Sequence, residues 1–367
     1  MLWRLIITEI GGFSIPSDRM GLARTRPLLL AVGLLLTAGC ASAGNDSSDS
    51  VTVPSTTERP RPTAASEPQI AAFPRDVRHA FGRTTIPEPP TRVASIGFTD
   101  HDTLLALGIT PVLVREWFGE RPAAAWPWAE DLVDGAPVVM QGEINYEQIA
   151  AVEPDIIVAA YAGLTEEEYS ILSEIAPTVA QSADHDNYLA PWQATTIGEA
   201  VGKEAEIAGL IADAEMAVAD VQNRYPELVG TRGVAVNTRD DGTYGVRGPM
   251  DARGRFLAAV GIQIPDEIAA LVPPGEFVAP IRFERIDLIG EALDVVVWAP
   301  ESDVDRALVE SLGLYQGEDR LVFIGEEEAA ALGFSSVLSL PWAVEHIVPR
   351  LAAAVDGDPR TTTGPPR

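Results

Sequence analysis

From Arg92 onward the chain alternates short β-branched runs with longer stretches whose apolar positions recur every three or four residues. A strand buried on both faces reads as a continuous apolar run, and a helix lying on it keeps one apolar stripe, so the alternation predicts parallel sheets covered by helices. In the first half, strands are expected at Val93 to Gly97, Pro111 to Arg115, Val138 to Gln141, Asp155 to Ala160 and Thr178 to Gln181. Helices fall between them: Asp102 to Leu107, Tyr146 to Val152, and Thr165 to Ile175, the last opening on a Thr-Glu-Glu-Glu cap and ending before Pro177.

The second half repeats the theme, with strands at Gly233 to Asn237, Asp294 to Trp298 and Leu321 to Ile324, and helices near Gly254 to Val260, Phe283 to Gly290 and Trp342 to Val355. A closer echo joins the halves. Tyr146-Glu147-Gln148-Ile149 runs on to Asp155-Ile156-Ile157-Val158, and Phe283-Glu284-Arg285-Ile286 runs on, through Glu291, to Asp294-Val295-Val296-Val297. Each is an aromatic-Glu-polar-Ile helix start leading into an Asp-led apolar strand, the mark of a duplicated unit. Between the halves, Thr196-Ile197-Gly198-Glu199 has the form of a capping box, and apolar residues follow at Ile207, Ile211, Ala214, Val218, Val221 and Tyr225 before Pro226. One continuous helix of about 40 Å is expected there, a stiff connector that resists large closure motions. The fold class is therefore α/β: two doubly wound lobes joined by one long helix, with an N-terminal lobe over 74–195, the connector over 196–226 and a C-terminal lobe over 227–355.

The ends change the picture of where the protein works. Arg24 and Arg26 precede an apolar run, Leu28 to Leu36, that stops at Thr37-Ala38-Gly39-Cys40. At nine residues the run is far short of the roughly 20 that span a bilayer, so residues 1–40 read as a secretory signal, with Met20 the expected start. Cys40 is the only cysteine and cannot form an intramolecular disulfide. Residues 41–73, poor in large apolar side chains, form an expected disordered tether, and 356–367 an expected disordered tail. The formal charge of −28, from 26 basic and 54 acidic residues, argues against nucleic acid or an anionic lipid surface as the main partner.

In open α/β sheets ligands lie beyond the carboxyl ends of the strands. Those ends carry Phe98 and His101, then Arg115 and Trp117, then Tyr161, then Tyr188 with Trp192; in the second lobe they carry Arg239, Tyr244 and Arg247, then Trp298. Aromatic faces and guanidinium forks together suit a bulky apolar scaffold ringed by oxygen donors. Trp126, Trp128 and Trp342 read as packing residues.

The stretch from His79 to Val112, with Arg92-Val93-Ala94-Ser95-Ile96-Gly97 and Leu104-Leu105-Ala106-Leu107-Gly108-Ile109-Thr110-Pro111, resembles the opening of ferric siderophore-binding proteins of ABC importers. Asn145-Tyr146-Glu147-Gln148-Ile149, Glu153-Pro154-Asp155, Ala176-Pro177-Thr178, Pro191-Trp192, Gly254-Arg255-Phe256-Leu257 and Ser339-Leu340-Pro341-Trp342-Ala343 extend the resemblance over almost the whole body. It implies the helix-backbone periplasmic binding protein fold, with a ferric siderophore held between the lobes as cargo and no resident cofactor. It also implies a monomer that docks on ABC permease subunits through one glutamate per lobe, Glu147 and Glu284. The Ala38-Gly39-Cys40 stretch resembles a lipoprotein box, which implies that Cys40 is lipidated and anchors the chain to the outer face of the membrane.

No enzyme is expected: the chain has no Gly-x-Ser-x-Gly elbow, no phosphate-cradling glycine motif and no cysteine in its body. His79, His101, His185 and His346 have no metal-site spacing, although His101 and His185 could face the cleft and take a bare divalent metal. Haem or a corrinoid is the nearest alternative cargo, with Tyr161, Tyr188 or Tyr244 as an axial ligand. A surface adhesion module without a small ligand is the more distant one.

Overall fold

A computed structural model describes residues 73–183, 190–239, 241–289, 293–299 and 320–356, of which 190–192 as backbone only. The signal segment, Cys40, the tether to residue 72, His185, Tyr188, Glu291 and the tail from residue 357 lie outside the described residues.

A hairpin, β1 (Arg75–His79) with β2 (Gly82–Ile86), opens the body and was not expected from the sequence. The first lobe then builds a five-stranded sheet from β3 (Val93–Ser95), β4 (Leu113–Glu116), β5 (Val138–Gln141), β6 (Ile156–Ala159) and β7 (Thr178–Ala180). Its order is β5-β4-β3-β6-β7 and every pairing is parallel. Residues of β3, β6 and β7 are buried throughout, as strands covered on both faces must be. The crossovers are α1 (Asp100–Ala106), α2 (Tyr146–Ala151) and α3 (Glu166–Ile175). Helix α3 starts on the expected capping box: the Thr165 hydroxyl accepts from Glu168 N, and the Glu168 carboxylate accepts from Thr165 N.

The second lobe uses β8 (Gly233–Thr238), β9 (Thr243–Arg247), β10 (Val278–Arg282), β11 (Val295–Ala299) and β12 (Leu321–Phe323), ordered β10-β9-β8-β11-β12. The order repeats that of the first sheet with its first strand again central. The direction does not: β9 runs antiparallel to β8, and β10 antiparallel to β9. Where α1 carries the chain across from β3 to β4, only a tight turn joins β8 to β9, with Gly242 at φ +76° and the Asp241 carboxylate accepting from Thr243 N at 3.1 Å. The wholly parallel second sheet expected from the alternation is thus a mixed one. The duplication nonetheless reaches the hydrogen bonds. Asp155, just before β6, accepts from Arg92 N at 3.0 Å, and Asp294, just before β11, accepts from Arg232 N at 2.8 Å.

The connector is not one helix from Thr196. Helix α4 (Ala190–Val201) belongs to the first lobe, where Ala194, Ile197 and Ala200 pack in its core, and Gly202 at φ +76° ends it. Thr196 lies inside α4 and caps nothing. Helix α5 (Glu204–Ala219) then makes the crossing: Ile207 lies in the core of the first lobe and Val218 in that of the second. Its 16 residues span about 24 Å. A single turn, α6 (Val221–Arg224), follows. The predicted apolar stripe is real, since Ile207, Ala214, Val218 and Val221 are buried, but it starts one helix later than the capping signal suggested.

The second lobe is completed by α7 (Ala252–Ala259), α8 (Asp266–Ala269), a 3-10 helix over Phe283–Ile289, and the terminal run α9 (Glu326–Phe334), α10 (Ser339–His346) and α11 (Val348–Val355). A second contact between lobes lies at the end of α9. Phe334, 4% exposed, inserts among Trp117, Phe118, Trp126, Trp128 and His101 of the first lobe, with ring centroids 5.5 to 6.3 Å away. Beside it the buried Asp102 carboxylate accepts from Trp128 Nε1 at 2.7 Å and from the Ser336 hydroxyl. Aromatic burial of this kind carries a few kcal/mol per ring, so the lobes are braced at two places.

Candidate ligand-binding cleft

The first wall of the cleft is built at the carboxyl ends of β3, β4 and β6. Phe98 N donates to Tyr161 O at 3.1 Å, tying the loop after β3 to the loop after β6. Asp100, fully buried, reinforces the tie by accepting from Ala160 N at 2.7 Å and Tyr161 N at 3.4 Å. The approach is so close that a Cβ on Gly97 would lie 2.0 Å from the Asp100 carboxylate. Burial pushes the Asp100 carboxyl up to about 7, against the pull of those two N–H groups. From this frame Phe98, Trp117 and Tyr161 project together, with Trp117 edge-on to Tyr161 at 6.1 Å and Phe98 at 5.8 Å from Trp117.

Arg115, at the end of β4, lies over the Phe98 ring with its guanidinium carbon 4.3 Å from the centroid, and its Nε donates to Gly142 O at 2.9 Å. Burial lowers its pKa, while Glu143 and Glu168 support the charge. One hydrogen bond and one ring face thus fix the side chain and present the guanidinium beside the aromatic group.

The opposing wall comes from the end of β9 and the start of α7. Asp251 caps α7 by accepting from Arg253 N at 2.9 Å, and its carboxylate also meets the guanidinium groups of Arg247 at 3.4 Å and Arg253 at 3.5 Å. Burial opposes ionisation of Asp251, yet Arg253 and Arg247 hold its pKa below the ordinary value. Arg247 is lowered to about 10, chiefly by burial and then by Arg253, with Asp251 countering. Arg239, in the turn after β8, adds to the repulsion on Arg247 and lies 3.8 Å from Asp241. The packing needs Gly254, because a Cβ there would lie 2.1 Å from Gly248 O.

The two walls meet. A Cβ on Gly333, next to the Phe334 wedge, would lie 3.0 Å from Arg253 Nη2 and 3.8 Å from the Trp117 indole. Arg255 couples electrostatically to both Asp251 and Tyr161, across the gap between lobes. Arg115, Trp117 and Tyr161 thus stand on the first wall and Arg247 and Arg239 on the second, with Arg253 and Arg255 the side chains by which the second wall approaches the first.

Two of the expected residues are elsewhere. Tyr244 and Trp298 are both 0% exposed, in the core between the second sheet and the Phe283 helix. The Tyr244 hydroxyl donates to Arg285 O at 2.9 Å, and Trp298 Nε1 donates to the Thr238 hydroxyl at 3.0 Å. The strand-end rule places Tyr244 after the first strand of the lobe, but it stands inside β9, whose alternation turns it inward. Its burial also removes it as an axial haem ligand. Tyr188 and the side chain of Trp192 lie outside the described residues. Strand-end reading missed Arg253, Arg255 and Phe334, because each lies on a helix. The Gly254-Arg255-Phe256-Leu257 stretch was the one available signal.

His101 is 1% exposed, with its Nε2 3.1 Å from Ala124 O and its ring against Phe334, and burial lowers its pKa. No group of three or more metal-binding side chains occurs among the described residues. Glu147 and Glu284 are both exposed, Glu147 in the first turn of α2 and Glu284 in the 3-10 helix after β10, at equivalent places in the repeated strand order. A shallow hollow of about 520 Å³ opens beside Glu147, lined by Gln141, Glu143, Ile144, Tyr146 and Gln148 among others.

The profile of the periplasmic binding protein family matches residues 93–314. Over 158 residues the chain is 34% identical to the probable siderophore-binding lipoprotein YfiY of Bacillus subtilis (strain 168), covering 41% of this chain and 45% of that protein. It is 26% identical over 246 residues to the Fe(3+) dicitrate-binding periplasmic protein FecB of Escherichia coli (strain K12), covering 64% of this chain and 76% of FecB. The chain spans about half the length of the Bacillus lipoproteins it matches, 53% and 45%. Among solved structures, a periplasmic solute binding protein from Mycobacterium smegmatis is 39% identical with a TM-score of 0.69, covering 76% of this chain and 98% of that one.

Proposed function

The chain belongs to the periplasmic binding protein family, and from that premise we propose that it is the substrate-binding component of an ABC importer, capturing a ferric siderophore between its lobes and delivering it to a permease. The observation that carries the reading is the approach of Arg253 and Arg255, with Arg247 beside them, to an aromatic wall of Trp117 and Tyr161 flanked by Phe98 and Arg115. Flat aromatic faces cover the organic scaffold of a chelate, and guanidinium forks reach the oxygens around its metal. The relatives named for siderophore and ferric dicitrate binding support the same cargo. Iron is cargo here, with no resident cofactor.

The proposal extends to the surroundings of the body. Cys40 carries the lipid that holds the protein at the outer face of the membrane, in keeping with the lipoprotein designation of its Bacillus relative. Glu147 and Glu284, exposed and equivalent in the two lobes, are the contacts for the permease, and the protein works as a monomer. Carboxylates set apart on the two lobes would engage basic residues of a transporter that receives both lobes at once.

The test is tryptophan-fluorescence titration of the body, residues 69–367, against ferric siderophores of hydroxamate, catecholate and carboxylate type, with haem and cobalamin alongside. Trp117 lies in the proposed contact surface, so saturable quenching by at least one ferric siderophore is expected. Quenching with a Soret band from haem, and no response to any siderophore, would transfer the assignment to haem.

A further inference from the structure

We infer that the chelate this cleft takes carries a net negative charge, as a ferric carboxylate or catecholate does, and that Arg247, Arg253 and Arg255 form the subsite that selects it. The inference rests on the ferric-chelate reading above and narrows it to one charge class.

The charge distribution carries the argument. Over the whole chain acidic residues outnumber basic ones 54 to 26, so the protein as a whole repels anions. The second wall of the cleft is the reverse. Among the described residues there, Arg239, Arg247, Arg253 and Arg255 stand against the carboxylates of Asp241 and Asp251. Asp251 is shared between Arg247 and Arg253 and acts on Arg255 as well. One carboxylate cannot neutralise three guanidinium groups.

The arginines are also neither fully solvated nor fully satisfied. The side chains of Arg239, Arg247 and Arg253 are 22%, 20% and 23% exposed, and the buried Nε atoms of Arg239 and Arg247 find no acceptor among the described residues. Crowding like charges at low exposure costs free energy in the empty protein, as the lowered pKa of Arg247 records. An anionic ligand relieves that cost by supplying counter-charge. An uncharged chelate would instead remove water from these groups and return no counter-charge, which is a penalty against the wrong ligand.

The two walls divide the task. On the first, Arg115 already has Gly142 O and the Phe98 ring as partners and Glu143 and Glu168 nearby, so that side is closer to electrical balance and offers mainly aromatic surface. Charge selection falls to the second wall, and shape recognition to the first.

The experiment compares three probes on the intact protein by calorimetry or fluorescence titration: ferric dicitrate, a ferric tris-catecholate, and ferrichrome, an uncharged trihydroxamate. At about 0.1 M salt at least one of the two anionic complexes should bind at least tenfold more tightly than ferrichrome. The preference should shrink by about 1 M salt, where the Debye length falls from about 10 Å to about 3 Å. Arg255→Gln should cost the anionic complex about tenfold more in affinity than it costs ferrichrome, whereas Arg255→Lys should keep most of the preference. Thermal melts of both variants check that they are folded. Ferrichrome binding as tightly as the anionic complexes, or an unchanged preference in Arg255→Gln, would overturn the inference and leave the siderophore reading standing; binding of none of the probes would remove both.

Discussion

Gly254→Ala tests whether the second wall is built as described. The added methyl would lie 2.1 Å from Gly248 O, where ordinary contact needs more than 3 Å, so α7 and the end of β9 must part by about 1 Å. The main clash is with a backbone oxygen, which cannot swing away as a side-chain tip can, and the Ile264 Cδ1 methyl closes the other side at 3.1 Å. Overpacking of this kind costs about 1–3 kcal/mol. Alanine's better helix propensity returns about 1 kcal/mol at most, so the net loss is expected near 1–2 kcal/mol. At roughly 2–4 °C per kcal/mol for a body of this size, the melting temperature should fall by about 2–8 °C. Because α7 carries Arg253 and Arg255, the same shift should weaken chelate binding by more than the melting change alone, about tenfold for a displacement near 1 Å. Calorimetry measures the first effect and fluorescence titration the second. A variant that melts at the wild-type temperature would refute the packing argument, and one that melts lower but binds unchanged would refute the role of α7 in the site.

The Asp100 carboxyl has a folded pKa near 7 against 3.8 when exposed, so the folded state holds an extra proton between those values and stability should rise as pH falls from 7 toward 4, at about 1.4 kcal/mol per pH unit. Asp100→Asn should flatten that slope in urea unfolding at several pH values; an identical slope would remove Asp100 as its source. Phe334→Ala should cost about 3–5 kcal/mol, because the ring is 4% exposed and packed on five aromatic neighbours of the other lobe, and loss of under 1 kcal/mol in chemical denaturation would show that the wedge does not brace the lobes. Glu147→Ala with Glu284→Ala should leave siderophore affinity in solution unchanged and abolish uptake by cells, with normal uptake contradicting the docking assignment.

Much of the architecture was legible along the chain. Buried parallel strands announce themselves as apolar runs, and the eight strands expected from such runs are all present, displaced by at most two residues at their ends. The Thr165 box, the Asp-led strands and the repeated Tyr-Glu and Phe-Glu starts were equally visible, because each depends on residues close together in sequence. The strands β9 and β10 were not, since Gly245 and Pro280 interrupt their pattern and β10 pairs with a strand well back along the chain.

The cleft divides in the same way. Strand ends can be read from sequence, and that rule brought out Arg115, Trp117, Tyr161 and Arg247. It could not tell which way a residue on a strand points, and so it put Tyr244 and Trp298 at the ligand when both are core. Nor could it bring Phe334 against Trp117, or Arg253 and Arg255 across from Tyr161, because those approaches depend on how two separately folded lobes lean together. Local pattern thus determined the strands, the helices and the choice of aromatic and guanidinium chemistry, whose causes are short-range. Which of those side chains come near one another was decided by long-range packing, through the α5 crossing, the Phe334 wedge and the Gly254 contact.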